Sequence, residues 1–141
     1  MTRTGRVGVG VIGAGVISSE YLDNLTTFPD LEVLFVADID LERAKAQAAK
    51  YGVPASGTVA ELLEHPDIEI VVNLTLPANH VDVALAALAA GKNVWTEKPF
   101  ALDRGSGRRL LDEAKRLGLR VATAPDTFLG AGLQSALRLI A

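Results

Sequence analysis

The chain contains no cysteine. Disulfides, thiolate metal sites and a thiol nucleophile go with it, and the absence suits a cytoplasmic protein. Two histidines, His65 and His80, are too few for a usual zinc site, so no metal is expected. There is no basic run, and 14 Lys and Arg against 17 Asp and Glu leave a net charge of −3; nucleic acid and anionic membranes are poor partners for such a chain. No stretch approaches the roughly 20 apolar residues of a membrane span. The run VGVGVIGAGVI, preceded by Arg3 and Arg6, imitates a secretory leader. It is studded with glycine, ends in SSE and lacks an A-x-A cleavage site, so it reads as part of the fold. Low-complexity tracts, interior linkers and repeats beyond a βα unit are also missing.

What is present is a pattern. A chain of 141 residues suits one domain, burying roughly 68–70% of its unfolded surface. With 49% apolar residues it can build a core, and disorder is not expected. Apolar, β-rich runs are RVGVGVI (6–12), LEVLFVA (31–37), a weak VPAS (53–56), IEIVVNLT (68–75), NVWTE (93–97) and RVATA (120–124). Helical spacing separates them: residues 16–27, with Ile17, Tyr21, Leu22 and Leu25 on one side; a segment capped by Asp40 and stopped by Gly52; a short helix opened by the capping-box pair Thr58 and Glu61; residues 80–90, ended by Gly91; about 106–117, closed by Gly118; and 132–141. Gly105 and Gly107 suggest a loose connection before the fifth helix. The strands are continuous apolar runs and so are covered on both faces. The expected fold is α/β, a doubly wound parallel six-stranded sheet. The dinucleotide-binding fold of this kind has strand order 3-2-1-4-5-6. Residues 1–125 form the domain and 126–141 a connection and the start of a helix.

GVIGAGVIS joins the first strand to the first helix, with Gly13, Gly15 and Ser18 at G-x-G-x-x-(small) positions. The first glycine permits the tight turn, the second lets a pyrophosphate approach the backbone, and the small third residue lets helix pack on strand. The phosphates would lie on the helix N-terminus, at Val16 and Ile17, where free N–H groups favour anions. Asp38 ends the second strand, 25 residues after Gly13, near the spacing of an acid that binds the adenosine ribose. Its carboxylate would accept from the ribose hydroxyls and repel a 2′-phosphate. Ile39 and Asp40 follow it, not arginine, which favours NAD over NADP; Arg43 lies one helical turn on. The plain alternatives are a glycine-rich turn with no ligand and a turn acid.

Each unusual residue follows a strand: Gly13 the first, Asp38 the second, Thr75, Leu76 and Pro77 the fourth, Glu97, Lys98 and Pro99 the fifth, Pro125, Asp126 and Thr127 the sixth. All therefore gather at the carboxyl end of the sheet, where open α/β sheets bind ligands. Pro99 also pushes Lys98 to an extended conformation. Together GVIGAGVIS, ADID, TLPANHVDVALAALAAGKNVWTEKPFALD and APDTFLG resemble the Gfo/Idh/MocA oxidoreductases, over about residues 5 to 141. The Glu97-Lys98-Pro99 element is the most specific part, supported by Pro77 and His80.

That resemblance implies roles. Lys98 would contact substrate and nicotinamide and polarise the reacting hydroxyl or carbonyl. Glu97 and Pro99 would shape the pocket, with Pro99 often cis in such proteins. Thr75, Leu76 and Pro77 would line the cofactor groove, His80 would lie close to the cofactor, and Asp126 and Thr127 would face the nicotinamide end. Against these stand a solvated Lys98, a His80 without ligand contact and an Asp126 that only caps a turn. The resemblance also implies a second α/β domain beyond Ala141, carrying an aspartate, a histidine that is often the general acid/base, and the contacts of a homo-oligomer. The expected activity is NAD-dependent dehydrogenation of a sugar, cyclitol or sugar acid, with this chain as the cofactor half and inactive alone. The alternative is a non-catalytic NAD-binding regulator of the same family.

Overall fold

In the computed structural model, which describes residues 5–140, the strands are β1 (Val7–Ile12), β2 (Leu31–Ala37), β3 (Ala55–Gly57), β4 (Ile70–Asn73), β5 (Asn93–Thr96) and β6 (Val121–Thr123). The helices are α1 (Val16–Leu25), α2 (Leu41–Tyr51), α3 (Val59–Glu64), α4 (His80–Ala89), α5 (Arg104–Leu117) and α6 (Ala131–Ile140). Arg3 and Ala141 lie outside the described residues. Every strand pair is parallel and the order is β3-β2-β1-β4-β5-β6, as expected.

Alternation along the strands divides the core. Val9, Val11, Val33, Val36 and Val72 join Leu22, Ala44 and Ala48 of α1 and α2. Ile12, Phe35, Val71 and Val94 join Leu62, Leu88 and Leu110 from the other helices. Both layers are needed, because each strand is apolar on both sides. One part of the sheet is bare: Trp95 is 40% exposed and Ala122 is also exposed. A cavity of about 430 Å³ runs there between α1 and the sheet. Helix α6 has no buried residue.

The helix ends follow their side chains. Asp40 accepts from the Arg43 N–H, Thr58 and Glu61 close a capping box, and Gly52 and Gly118 end α2 and α5 with left-handed φ. Two expectations are corrected. Helix α5 starts at Arg104, two residues before Ser106, because Asp103 caps it by accepting from the Ser106 N–H. Gly105 and Gly107 are thus inside a regular helix. A Cβ on Gly107 would sit 3.3 Å from the Ala101 Cβ, so the small residue lets the incoming loop cross closely. Strand β4 is also shorter than 68–75. Asn73 ends it by accepting from both the Thr75 N–H, at 3.3 Å, and the Thr75 hydroxyl, at 2.7 Å, which turns the chain.

Candidate functional site

The ladder register sets Ile12 beside Ala37 and Asn73, Asn73 beside Thr96, and Thr96 beside Thr123. The five strands thus end in one row. Further main-chain bonds zip the segments just past it: Gly13 N–H to the Ala37 carbonyl, Leu74 to Ile12, Glu97 to Asn73 and Ala124 to Thr96. Gly13, Asp38, Thr75, Glu97 and Lys98 are therefore brought to one edge by the register itself.

The two turn glycines have different reasons. Gly13 has φ of 102°, and a Cβ on it would lie 2.8 Å from the main-chain carbon and oxygen of Leu74. The fold itself demands glycine there. Gly15 has φ −75° and ψ −169°, extended backbone open to any residue, and a Cβ would meet nothing within 4 Å. The protein makes no use of that open space. Helix α1, which Gly15 precedes, has no side-chain cap and no acid in its first turn, and Val16 is 97% exposed. An uncapped helix start beneath open space fits a pyrophosphate. Ser18 is fully buried, donating to the Gly15 carbonyl at 2.6 Å and accepting from Gln47 Nε2 at 3.1 Å.

Asp38 is buried, at 8% exposure. Its Oδ2 accepts from the Ala14 N–H at 2.7 Å and its Oδ1 from the Asp40 N–H at 2.9 Å. The acid therefore ties the glycine turn to β2. Each oxygen keeps a second lone pair, enough to accept from ribose hydroxyls. Arg43 pairs with Asp40 at 3.3 Å on the surface.

The loop after β4 is built by Asn73, fully buried, whose Nδ2 donates to the His80 carbonyl at 3.0 Å while its Oδ1 holds Thr75. Pro77 opens a 3₁₀ turn, Pro77–Asn79, and Leu76 is 72% exposed on the rim. His80 lies beneath the loops, not on their surface. It is 1% exposed, with Nδ1 2.7 Å from the Pro99 carbonyl and Nε2 2.9 Å from the Thr75 carbonyl. The ring braces the β4 loop against the β5 loop and has no free nitrogen to offer a ligand.

The Lys98–Pro99 peptide is cis. Glu97 accepts from the Tyr21 hydroxyl at 2.7 Å and from the Lys98 N–H at 3.0 Å. Burial, with Glu97 beside it, pushes the Tyr21 phenol up to about 12. Lys98 is exposed, and no hydrogen bond or ion pair engages its ammonium among the described residues. Asp126 begins a 3₁₀ turn, Asp126–Leu129, is exposed, and lines the same cavity as Tyr21 and Glu97. Among the described residues no group of His, Asp and Glu could hold a metal ion.

The sequence pattern marks Tyr21 only as one of the residues on the apolar side of α1, and Asn73 only as part of an apolar strand run. An asparagine two residues before a threonine at a strand end is a legible turn signal. Nothing in the sequence announces Tyr21, because its partner is 76 positions away.

Comparison with known proteins agrees with this fold. The family model described as an oxidoreductase family with an NAD-binding Rossmann fold matches residues 7–124. An uncharacterized oxidoreductase from Rhizobium meliloti is 40% identical over 121 residues, covering 84% of this chain and 36% of the relative. Trans-1,2-dihydrobenzene-1,2-diol dehydrogenase from Bos taurus is 38% identical over 113 residues, 78% of this chain and 34% of that protein. Among solved structures, GenD2 from gentamicin A biosynthesis, in complex with NAD, superposes with a TM-score of 0.90 at 29% identity, covering all of this chain and 40% of GenD2. KijD10, a 3-ketoreductase from Actinomadura kijaniata in complex with NADP, gives 0.87 at 29% identity over 96% of this chain and 43% of its own. The chain thus spans little more than a third of the curated relatives it matches. By sequence and sheet order together, it belongs to the Gfo/Idh/MocA oxidoreductase family with an NAD-binding Rossmann fold.

Proposed function

We propose that this chain is the cofactor-binding part of an NAD-dependent dehydrogenase acting on a sugar, cyclitol or sugar acid. The observation that carries the reading is Lys98: an exposed, unpaired ammonium at the same strand-end row as a buried, anchored Asp38. A protein that only binds a dinucleotide has little need of a free cation there, which favours the enzyme over a binding-only regulator.

NAD, when bound, takes or gives the hydride. The chain's own residues do the rest. The open space over Gly15 and the uncapped start of α1, at Val16 and Ile17, hold the pyrophosphate. Asp38 accepts from the adenosine ribose. Because it is fixed by two N–H groups it cannot swing away from a 2′-phosphate, which favours NAD over NADP; the exposed Arg43–Asp40 pair is too weak to decide between them. Thr75, Leu76 and Pro77 form the groove wall, with His80 and Glu97 holding their loops and Asp126 at the nicotinamide end. Lys98 stabilises negative charge on the reacting oxygen. His80, with both ring nitrogens against carbonyls, does not serve as the general acid/base.

The test follows NADH absorbance with a panel of sugars, inositols and diols, using a family-length protein and these 141 residues alone. The long protein turns over a member of the panel, and Lys98→Met lowers turnover by on the order of 10²-fold while NAD affinity stays nearly intact. The short chain binds NAD without turnover. Substrate-dependent turnover by the short chain, or near-normal turnover in Lys98→Met, overturns the reading.

A further inference from the structure

We propose that Tyr21, on the helix that begins at the glycine turn, is the positioning residue for Lys98 and acts through Glu97. The inference rests on the proposed place of Lys98 at the nicotinamide end.

Three contacts carry it. The Tyr21 hydroxyl donates to Glu97 Oε1 at 2.7 Å. The same hydroxyl accepts from Trp95 Nε1 at 3.4 Å. The other Glu97 oxygen accepts from the Lys98 N–H at 3.0 Å. Each carboxylate oxygen of Glu97 therefore has its own donor. On the far side, His80 Nδ1 lies 2.7 Å from the Pro99 carbonyl. The main chain around Lys98 is thus held before and after it, while its ammonium is left unpaired.

The physical consequence concerns orientation. Glu97 is the residue before Lys98, and one of its oxygens already accepts from the Lys98 N–H. The Tyr21 hydroxyl holds the other oxygen. It therefore fixes the direction of the Glu97 carboxylate and, through it, the main chain from which the lysine side chain projects. The phenol is suited to the task, because its raised titration near 12 keeps it a donor throughout the working range of pH. Its place on α1, five positions after Val16, also links the start of that helix to the lysine.

The experiment uses the 141-residue chain and does not depend on turnover. Lys98 is modified with an amine-reactive aldehyde and borohydride, with and without NAD, and its labelling is read by peptide mass spectrometry. Calorimetry gives NAD affinity, and circular dichroism confirms the fold. The indole N–H resonance of Trp95, the single tryptophan, reports whether the Tyr21 contact is broken. In the wild-type chain NAD protects Lys98. A hydrogen bond to a carboxylate biases a population by roughly tenfold, so Tyr21→Phe lowers that protection by about tenfold at unchanged NAD affinity. Glu97→Gln is the second variant. A carboxamide offers one acceptor oxygen to two donors, so the same loss is expected, and adding Tyr21→Phe to Glu97→Gln changes little more. Equal protection in wild type and Tyr21→Phe, with NAD bound in both, overturns the positioning role and leaves the proposed function standing. Additive losses in the double variant overturn the route through Glu97. No protection in the wild-type chain with NAD bound removes Lys98 from the cofactor end and sinks the proposed function, with this inference alongside it.

Discussion

Gly13 and Gly15 stand two residues apart in one turn, yet their replacement by alanine should have opposite consequences. At Gly13, φ of 102° and a Cβ 2.8 Å from the Leu74 main chain act together. Positive φ costs an L-residue roughly 1–2 kcal/mol, and crowding against a packed neighbour adds roughly 1–3 kcal/mol. The expected loss is about 2–5 kcal/mol, a large part of the roughly 5–15 kcal/mol that holds a domain together. At Gly15 the backbone is ordinary and the surrounding space open. A stiffer unfolded chain gains about 0.4–1 kcal/mol and a poorer helix cap loses a similar amount, so Gly15→Ala changes stability by no more than about 1 kcal/mol. Its methyl group stands where the pyrophosphate is placed, and NAD affinity should fall at least about tenfold. Urea unfolding gives the first quantity and calorimetry the second. A Gly13→Ala chain as stable as wild type contradicts the packing argument. A Gly15→Ala chain that binds NAD as well as wild type contradicts the placement of the phosphates.

Calorimetry with both dinucleotides should show NAD binding more tightly than NADP, with Asp38→Ala narrowing the difference; equal wild-type affinities count against the ribose role. Asn73→Leu leaves the Thr75 N–H and the His80 carbonyl without their partner and should cost on the order of 1–3 kcal/mol, read as a lower urea midpoint. Tyr21 is held above its ordinary value of 10.0, so the fold favours the neutral phenol. That contribution is whole below pH 10 and is lost as pH rises through about 12, which a phenolate absorbance titration run beside unfolding curves will show. Leu133 and Leu137, each 55% exposed, and Ile140, 83% exposed, leave α6 an apolar face, so the isolated chain should self-associate in sedimentation, and Leu137→Glu should reduce it.

The sheet was legible because its signals are local. Continuous β-branched runs, helix caps such as Asp40 and Thr58, and terminal glycines such as Gly52 and Gly118 each act within a few residues. The gathering of the candidate residues was legible for the same reason: once the strands are placed, parallel pairing carries Gly13, Asp38, Thr75 and Lys98 to one edge. Reading failed where a local rule met a tertiary or side-chain contact. Gly105 and Gly107 looked like breakers, but the Asp103 cap and the close Ala101 loop make them helical. IEIVVNLT looked like eight strand residues, but the strand is only Ile70–Asn73, and Asn73 turns the chain at its end. The bracing role of His80, whose two nitrogens face the Thr75 and Pro99 carbonyls, has no local signal either. Tyr21 joins Glu97 across 76 positions, a separation that no periodicity records.

The central claim is that the strand-end edge of this chain binds NAD with its pyrophosphate on the glycine turn and its adenosine ribose at Asp38. An NMR titration of the 15N-labelled chain with NAD tests it most directly. The account predicts that the largest amide shifts fall on Ala14, Gly15, Val16 and Ile17, with Asp38 and Thr75 next and the opposite end of the sheet, around Lys92, unmoved. Shifts centred on the apolar cavity beside Phe28 and Leu31, or no shifts at saturating NAD, would contradict it.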